Sequence, residues 1–121
     1  MPEQILDQLE PSHVTIGGKK YPLLFSMRAA AMMEKELETP YVKIVEEIFR
    51  TGDKDKDTGM DPMAWERQAM VISCLMRAAG ADVTTDMLLD GVRMGDDAQR
   101  LCKAAIQEMT RKTPKGKAKN G

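Results

Sequence analysis

The chain has one histidine, His13, and two cysteines, Cys74 and Cys102. A lone imidazole without a Cys or carboxylate cluster at ligand spacing makes no zinc-type site. A Ser–His or Cys–His nucleophile pair would have to use His13, which stands just before a strand with no base geometry around it. Both cysteines lie on apolar helical faces. With no disulfide framework and no signal peptide, they read as reduced core residues of a cytoplasmic protein. A dominant charge is also missing. The net charge is −1, so no bulk field draws the chain to nucleic acid or membrane. The most apolar stretch is too short and interrupted for the ~20 residues of a bilayer span. Aromatics make up only 4%, and 11 methionines supply adaptable apolar bulk instead. No internal repeat is present.

What is there starts with residues 62–80, PMAWERQAMVISCLMRAAG. Asp61 is placed to N-cap this stretch, with Pro62 at the first helical position and Gly80 just past the end. Trp65, Ala69, Ile72, Met76 and Ala79 recur at helical spacing. Cys74, Leu75 and other apolar residues fill the remaining sides, and from Ala69 onward only Ser73 and Arg77 are polar. A helix apolar nearly all round is a buried one, so this stretch predicts the central helix of a small domain. A length of 121 residues gives one domain with a modest core.

Upstream, residues 1–12 are acidic and weakly apolar and read as a flexible N-terminus. Residues 13–25, HVTIGGKKYPLLF, predict a β-hairpin turning at Gly17-Gly18, with Ile16 opposite Lys19, Val14 opposite Tyr21 and Thr15 opposite Lys20. Pro22 ends the second strand or puts it on an edge. Ser26 caps a helix with Ala30, Met33 and Leu37 inward and Glu34, Lys35, Glu36 and Glu38 outward. Thr39-Pro40 opens another, lined by Tyr41, Ile44, Val45, Ile48 and Phe49. Beyond the central helix, Thr84 or Thr85 caps a brief helix with Met87, Leu88 and Val92 inward, stopping near Met94-Gly95. Asp96 and Gln99 make a capping-box-like start to a last helix, whose face carries Ala98, Leu101, Cys102, Ala105, Ile106 and Met109. The expected architecture is mainly α: a single domain over residues 13–110 with about five helices and an N-terminal hairpin. Residues 111–121 form a disordered basic tail.

Little in this pattern carries chemistry. Residues 53–59, DKDKDTG, resemble the start of a calcium-binding EF-hand loop, but Thr58 stands where a glycine is needed and Ala64 where a bidentate Glu is needed. Gly17-Gly18-Lys19 lacks the phosphate-loop spacing. The helical carboxylates lie among Lys and Arg on exposed faces, without the burial and cleft that paired catalytic acids require. The expectation is therefore no enzyme, no cofactor and no metal. The tail cations Arg111, Lys112, Lys115, Lys117 and Lys119 have no aromatic interleaving, which makes nucleic acid an unlikely partner.

One stretch goes further. Residues 14–29, VTIGGKKYPLLFSMRA, combine a short hairpin, a Gly-Lys turn, Tyr-Pro, an apolar strand end and a Ser-capped helix with Arg-Ala, followed by Glu34 and Glu36. Over residues 13 to about 38 this resembles the opening of tail assembly chaperones from long-tailed bacteriophages and prophages. The resemblance implies a cytoplasmic protein of the bacterial host, absent from the mature virion. Such a protein binds the tape measure protein, keeps it soluble and helps recruit tail tube subunits. A longer, frameshifted form would engage the tail tube protein, and the hairpin edge would serve self-association. Adaptable amphipathic helices suit such a partner. The candidate partner-binding residues are Met32, Met33, Tyr41, Ile44, Ile48 and Phe49. The alternative is a small regulatory or nucleic-acid-associated helical protein, but Asp96 and Asp97 at the start of its would-be recognition helix would repel phosphate.

Overall fold

Gly17 and Gly18 adopt φ of +61° and +83°, the two positive angles of a type I′ hairpin turn. They join β1 (Ser12–Ile16) to β2 (Lys19–Leu23) in the register expected from the sequence, Ile16 against Lys19 and Val14 against Tyr21. In such a hairpin the pair closing the turn exchanges hydrogen bonds, and so does every second pair beyond it. His13 and Pro22 form one of the open pairs between, where the N–H that proline lacks would point outward. Pro22 therefore sits on an edge without ending the strand, and β2 runs one residue further to Leu23.

The structure is a computed structural model that describes residues 9–49 and 64–111, Phe49 through its backbone alone. Its described residues form the hairpin and five helices: α1 (Met27–Leu37), α2 (Tyr41–Phe49), α3 (Trp65–Ala78), α4 (Thr85–Gly91) and α5 (Asp96–Thr110). This is the mainly α fold with an N-terminal hairpin that the sequence predicts. The expected caps Asp61 and Pro62, the loop at 53–59, residues 1–8 and the tail from Lys112 lie outside the described residues.

The central position of α3 follows from its composition. It packs against α1, β2, α4 and α5, and Val71, Cys74 and Leu75 are wholly buried. Its C-terminus closes as a Schellman motif: the Ala81 N–H donates to Met76 O at 3.0 Å and the Gly80 N–H to Arg77 O at 3.0 Å, with Gly80 at φ +99°. The Leu75 carbonyl, which the helix end leaves without an intrahelical donor, accepts the Leu24 N–H at 3.0 Å. That bond ties the end of the hairpin to the core helix.

The two polar residues late in α3 both have structural work. Ser73 donates to the Val83 carbonyl at 2.7 Å and accepts from Arg77 Nε at 2.9 Å. The Arg77 guanidinium then grips Glu36 with two bonds of 2.8 Å. Glu36, expected to face solvent, is half-buried in this pair. The hydrogen bonds from Arg77 hold its carboxyl below the ordinary value, against the opposing effect of burial.

Several local expectations shift by one position. Ser26 caps α1, accepting the Ala29 N–H at 3.2 Å, but the buried stripe is Ala29, Met33 and Leu37. Ala30 is half-buried, because the crossing with α3 selects the row at steps of four. Thr39 does not cap α2: its hydroxyl donates back to Leu37 O at 2.8 Å. The Tyr41 N–H is satisfied instead by Glu34 Oε2 at 2.8 Å, and Pro40 O accepts from Ile44. Thr84 caps α4, accepting from Met87 N at 3.2 Å. Gly95, with φ +122°, stands at the N-cap of α5 without a side-chain cap, so Asp96 and Asp97 fall in the first helical turn. There they favour the positive end of the helix dipole.

A buried carboxylate fastens α5 to the N-terminal unit. Glu108 is 4% exposed. Its Oε1 accepts from the Ser12 hydroxyl at 2.7 Å, and its Oε2 accepts from the Phe25 N–H at 2.9 Å. Arg111 lies 3.5 Å away. The spacing 101, 105, 108 puts this acid on the buried stripe with Leu101 and Ala105, the one signal by which the sequence marks it.

Candidate functional site

Of the six partner-facing candidates, the five whose side chains are described do not form an exposed surface. Met33, Ile44 and Ile48 are 0% exposed and belong to the core. Met32 and Tyr41 are half-buried, Tyr41 with its ring 6.0 Å from that of Phe25. The side chain of Phe49 lies outside the described residues. A small domain needs its large apolar side chains inside, and α1 and α2 spend theirs on each other and on α3.

The exposed apolar surface lies on the other flank of α3. There α3, α4 and α5 enclose a groove of about 330 Å³. Its floor is apolar and buried, with Ala69, Ile72, Leu88, Ala98 and Leu101. Its rim is apolar and exposed: Trp65 is 50% accessible, Leu89 42% and Met94 63%. Trp65, expected on the buried stripe, sits instead on the rim in the first turn of α3. Met87, expected inward, is also exposed, and only Leu88 of α4 reaches the core. The cause is the length of α4: seven residues make about two turns, too few to cover the fourteen-residue α3. Sequence periodicity missed this site. The available signals were Leu89 beside Leu88 on a short helix and Met94 in a connecting turn, both in excess of what one buried stripe can use.

The two thiols, Cys102 beside the groove and Cys74 on the opposite flank of α3, offer no reactive group. Cys102, at the groove wall, donates to Gln68 Oε1 at 3.1 Å. Burial raises its pKa to about 11. Cys74 is also raised to about 11, first by burial and then by the Glu36 charge. Both are neutral thiols at pH 7 and poor nucleophiles.

A second hollow, of about 560 Å³, lies between α2 and α3 and is lined by polar and charged residues. Lys43, Glu46, Glu47 and Arg67 line it, with Arg67 paired to Glu47 at 2.8 Å. Among the described residues no three His, Cys, Asp or Glu side chains gather as a metal-binding group, and no helix is long and apolar enough to cross a membrane.

Comparison of the chain with protein-family models, curated proteins and solved structures gave no significant match.

Proposed function

We propose that the chain is a tail assembly chaperone of a long-tailed bacteriophage or prophage, which binds the tape measure protein, keeps it soluble and helps recruit tail tube subunits. The observation that carries this reading is the segment from His13 to Glu38. It runs from a Gly-Gly hairpin through Tyr-Pro to a Ser-capped helix with Arg-Ala and then acids. An exposed apolar groove on a small helical domain is in keeping with it, since holding an aggregation-prone helical chain requires apolar surface that the folded chaperone leaves open. On this reading the protein works in the cytoplasm of the infected bacterium and is absent from the finished virion.

The test is co-expression with the long helical protein encoded beside it, followed by fractionation and pull-down. The expected result is a soluble partner that co-purifies with this chain. A partner that stays insoluble and unbound while this chain is well folded would overturn the proposal. Salt-sensitive DNA binding in the same preparation would favour the regulatory alternative.

A further inference from the structure

We infer that the groove between α3, α4 and α5 is a docking site for one helical segment of a partner, with an apolar stripe flanked by lysine or arginine. The inference rests on the chaperone reading only for the partner's identity; the recognition chemistry stands on the groove itself.

Three observations select this occupant. The first is shape. Trp65, Ala69 and Ile72 line one wall at positions i, i+4 and i+7 of α3, which is about 10.5 Å of helix. An amphipathic helix presents its own i, i+3 or i+4, and i+7 anchors over the same length. The second is the exposed rim. A small molecule sunk in the hollow would leave Trp65, Leu89 and Met94 uncovered, whereas a helix lying across it would cover all three.

The third is charge. Residues 82–97 supply Leu88, Leu89, Val92 and Met94 to the groove. The same sixteen residues carry five aspartates against the single cation Arg93. Asp97 is paired with Arg100, but Asp82, Asp86, Asp90 and Asp96 are exposed and form no ion pair among the described residues. Asp86 and Asp90, one turn apart on α4, share the face next to Leu89. Glu66 adds an exposed carboxylate beside Trp65. The near-neutral chain thus concentrates negative charge beside its open apolar surface, and a partner with cationic flanks gains both contacts.

Trp65 is the only tryptophan in the chain and sits on the groove rim, so its fluorescence reports occupancy. The probes are two synthetic eighteen-residue helical peptides with the same leucine stripe, one flanked by lysine and one by glutamate, titrated into the full chain. The expected result is a blue shift of Trp65 emission with the lysine peptide, at least tenfold weaker binding of the glutamate peptide, and weakening with added salt. Leu89→Lys with Met94→Asp should lose the shift. Asp86→Lys with Asp90→Lys should narrow or reverse the preference. All four residues are exposed, and far-UV circular dichroism checks the fold of each variant.

Equal binding of both peptides, no shift with either, or a shift that survives Leu89→Lys/Met94→Asp would each overturn the inference. So would a blue shift that grows with protein concentration alone, which would make a second copy the occupant. Co-expression separates this failure from that of the chaperone reading. If the wild-type chain and the Leu89→Lys/Met94→Asp variant solubilise the long partner equally well, the groove inference fails and the function stands. If peptide recognition holds and the long partner is not bound, the function fails and the groove stands.

Discussion

The two flanks of α3 are made from similar residues and end in different states. Toward α1 and the hairpin, Val71, Cys74 and Leu75 are fully enclosed. Polar clasps reinforce that side, namely Arg77 with Glu36, the Leu24 N–H on the Leu75 carbonyl, and Glu108 under Ser12 and Phe25. Toward α4 and α5, Ile72 and Leu88 lie at the floor of a groove whose rim residues Trp65, Leu89 and Met94 stay exposed. An apolar face becomes core only where the neighbouring element is long enough to lie over it. The eleven residues of α1 are long enough, and the seven of α4 are not.

The contrast can be broken most sharply at Leu75. Leu75→Ala, on the closed flank, should cost ~2–5 kcal/mol of stability through lost burial and a residual cavity. Leu89→Ala, on the rim of the open flank, should stay within ~0.5 kcal/mol of wild type. Urea denaturation of the two variants measures the difference, and near-equal midpoints would show that the flanks do not differ.

Glu108→Ala should come next. It leaves the half-buried Phe25 N–H without its acceptor and unfastens Ser12, for an expected loss of ~1–3 kcal/mol. Hydrogen exchange should rise in β1 and at Phe25 and stay unchanged in α4. An equal rise in α4 would mean that Glu108 does not act locally.

A smaller effect is expected at Glu36. Its carboxyl titrates below 4.5 in the folded chain because Arg77 bonds the charged form, so the unfolded chain takes up a proton first as pH falls. The stability from this pair is present above the unfolded pKa and is lost as pH drops through the folded one. Glu36→Gln should remove part of the acid-side slope and cost about 1 kcal/mol or less at pH 7, since both side chains remain partly exposed. An unchanged acid limb in denaturation from pH 7 to pH 3 would dismiss the pair as a contributor.

The smallest effect sharpens the comparison at the thiols. Cys74 and Cys102 should react slowly with a thiol-specific reagent at pH 7 in the native chain, and both should react fast in denaturant. With the pKa raised from 9.0 to about 11, each thiol favours the fold below pH 9, and that advantage falls away between about pH 9 and 11. Binding of the lysine peptide should slow Cys102 further and leave Cys74 unchanged.

Much of the fold was legible because it rests on local chemistry. The Gly17-Gly18 turn, its register, the Ser26 cap and the Gly80 terminus need only near neighbours in sequence, and each stands where the pattern puts it. The misplaced residues depend on distant partners. Trp65 fits a buried stripe by spacing, yet among the described residues no element covers it, and it stays half exposed. Ala29 and Ala30 are equally apolar, and only the approach of α3 chooses between them. Glu34 caps a helix seven residues away, a role that becomes visible only when the α1–α2 turn brings it there. Glu108 looks like a surface acid until β1 and Phe25 are set against α5.

The sequence by itself determined which elements form, because turn angles, caps and apolar periodicity are short-range. It also determined that α3 is the hub, since a helix apolar on nearly every side is stable only when surrounded. Tertiary structure alone decided which apolar residues became core and which stayed open. Burial is a property of two surfaces meeting, and the mismatch in length between α3 and α4 leaves the groove beneath Trp65, Leu89 and Met94.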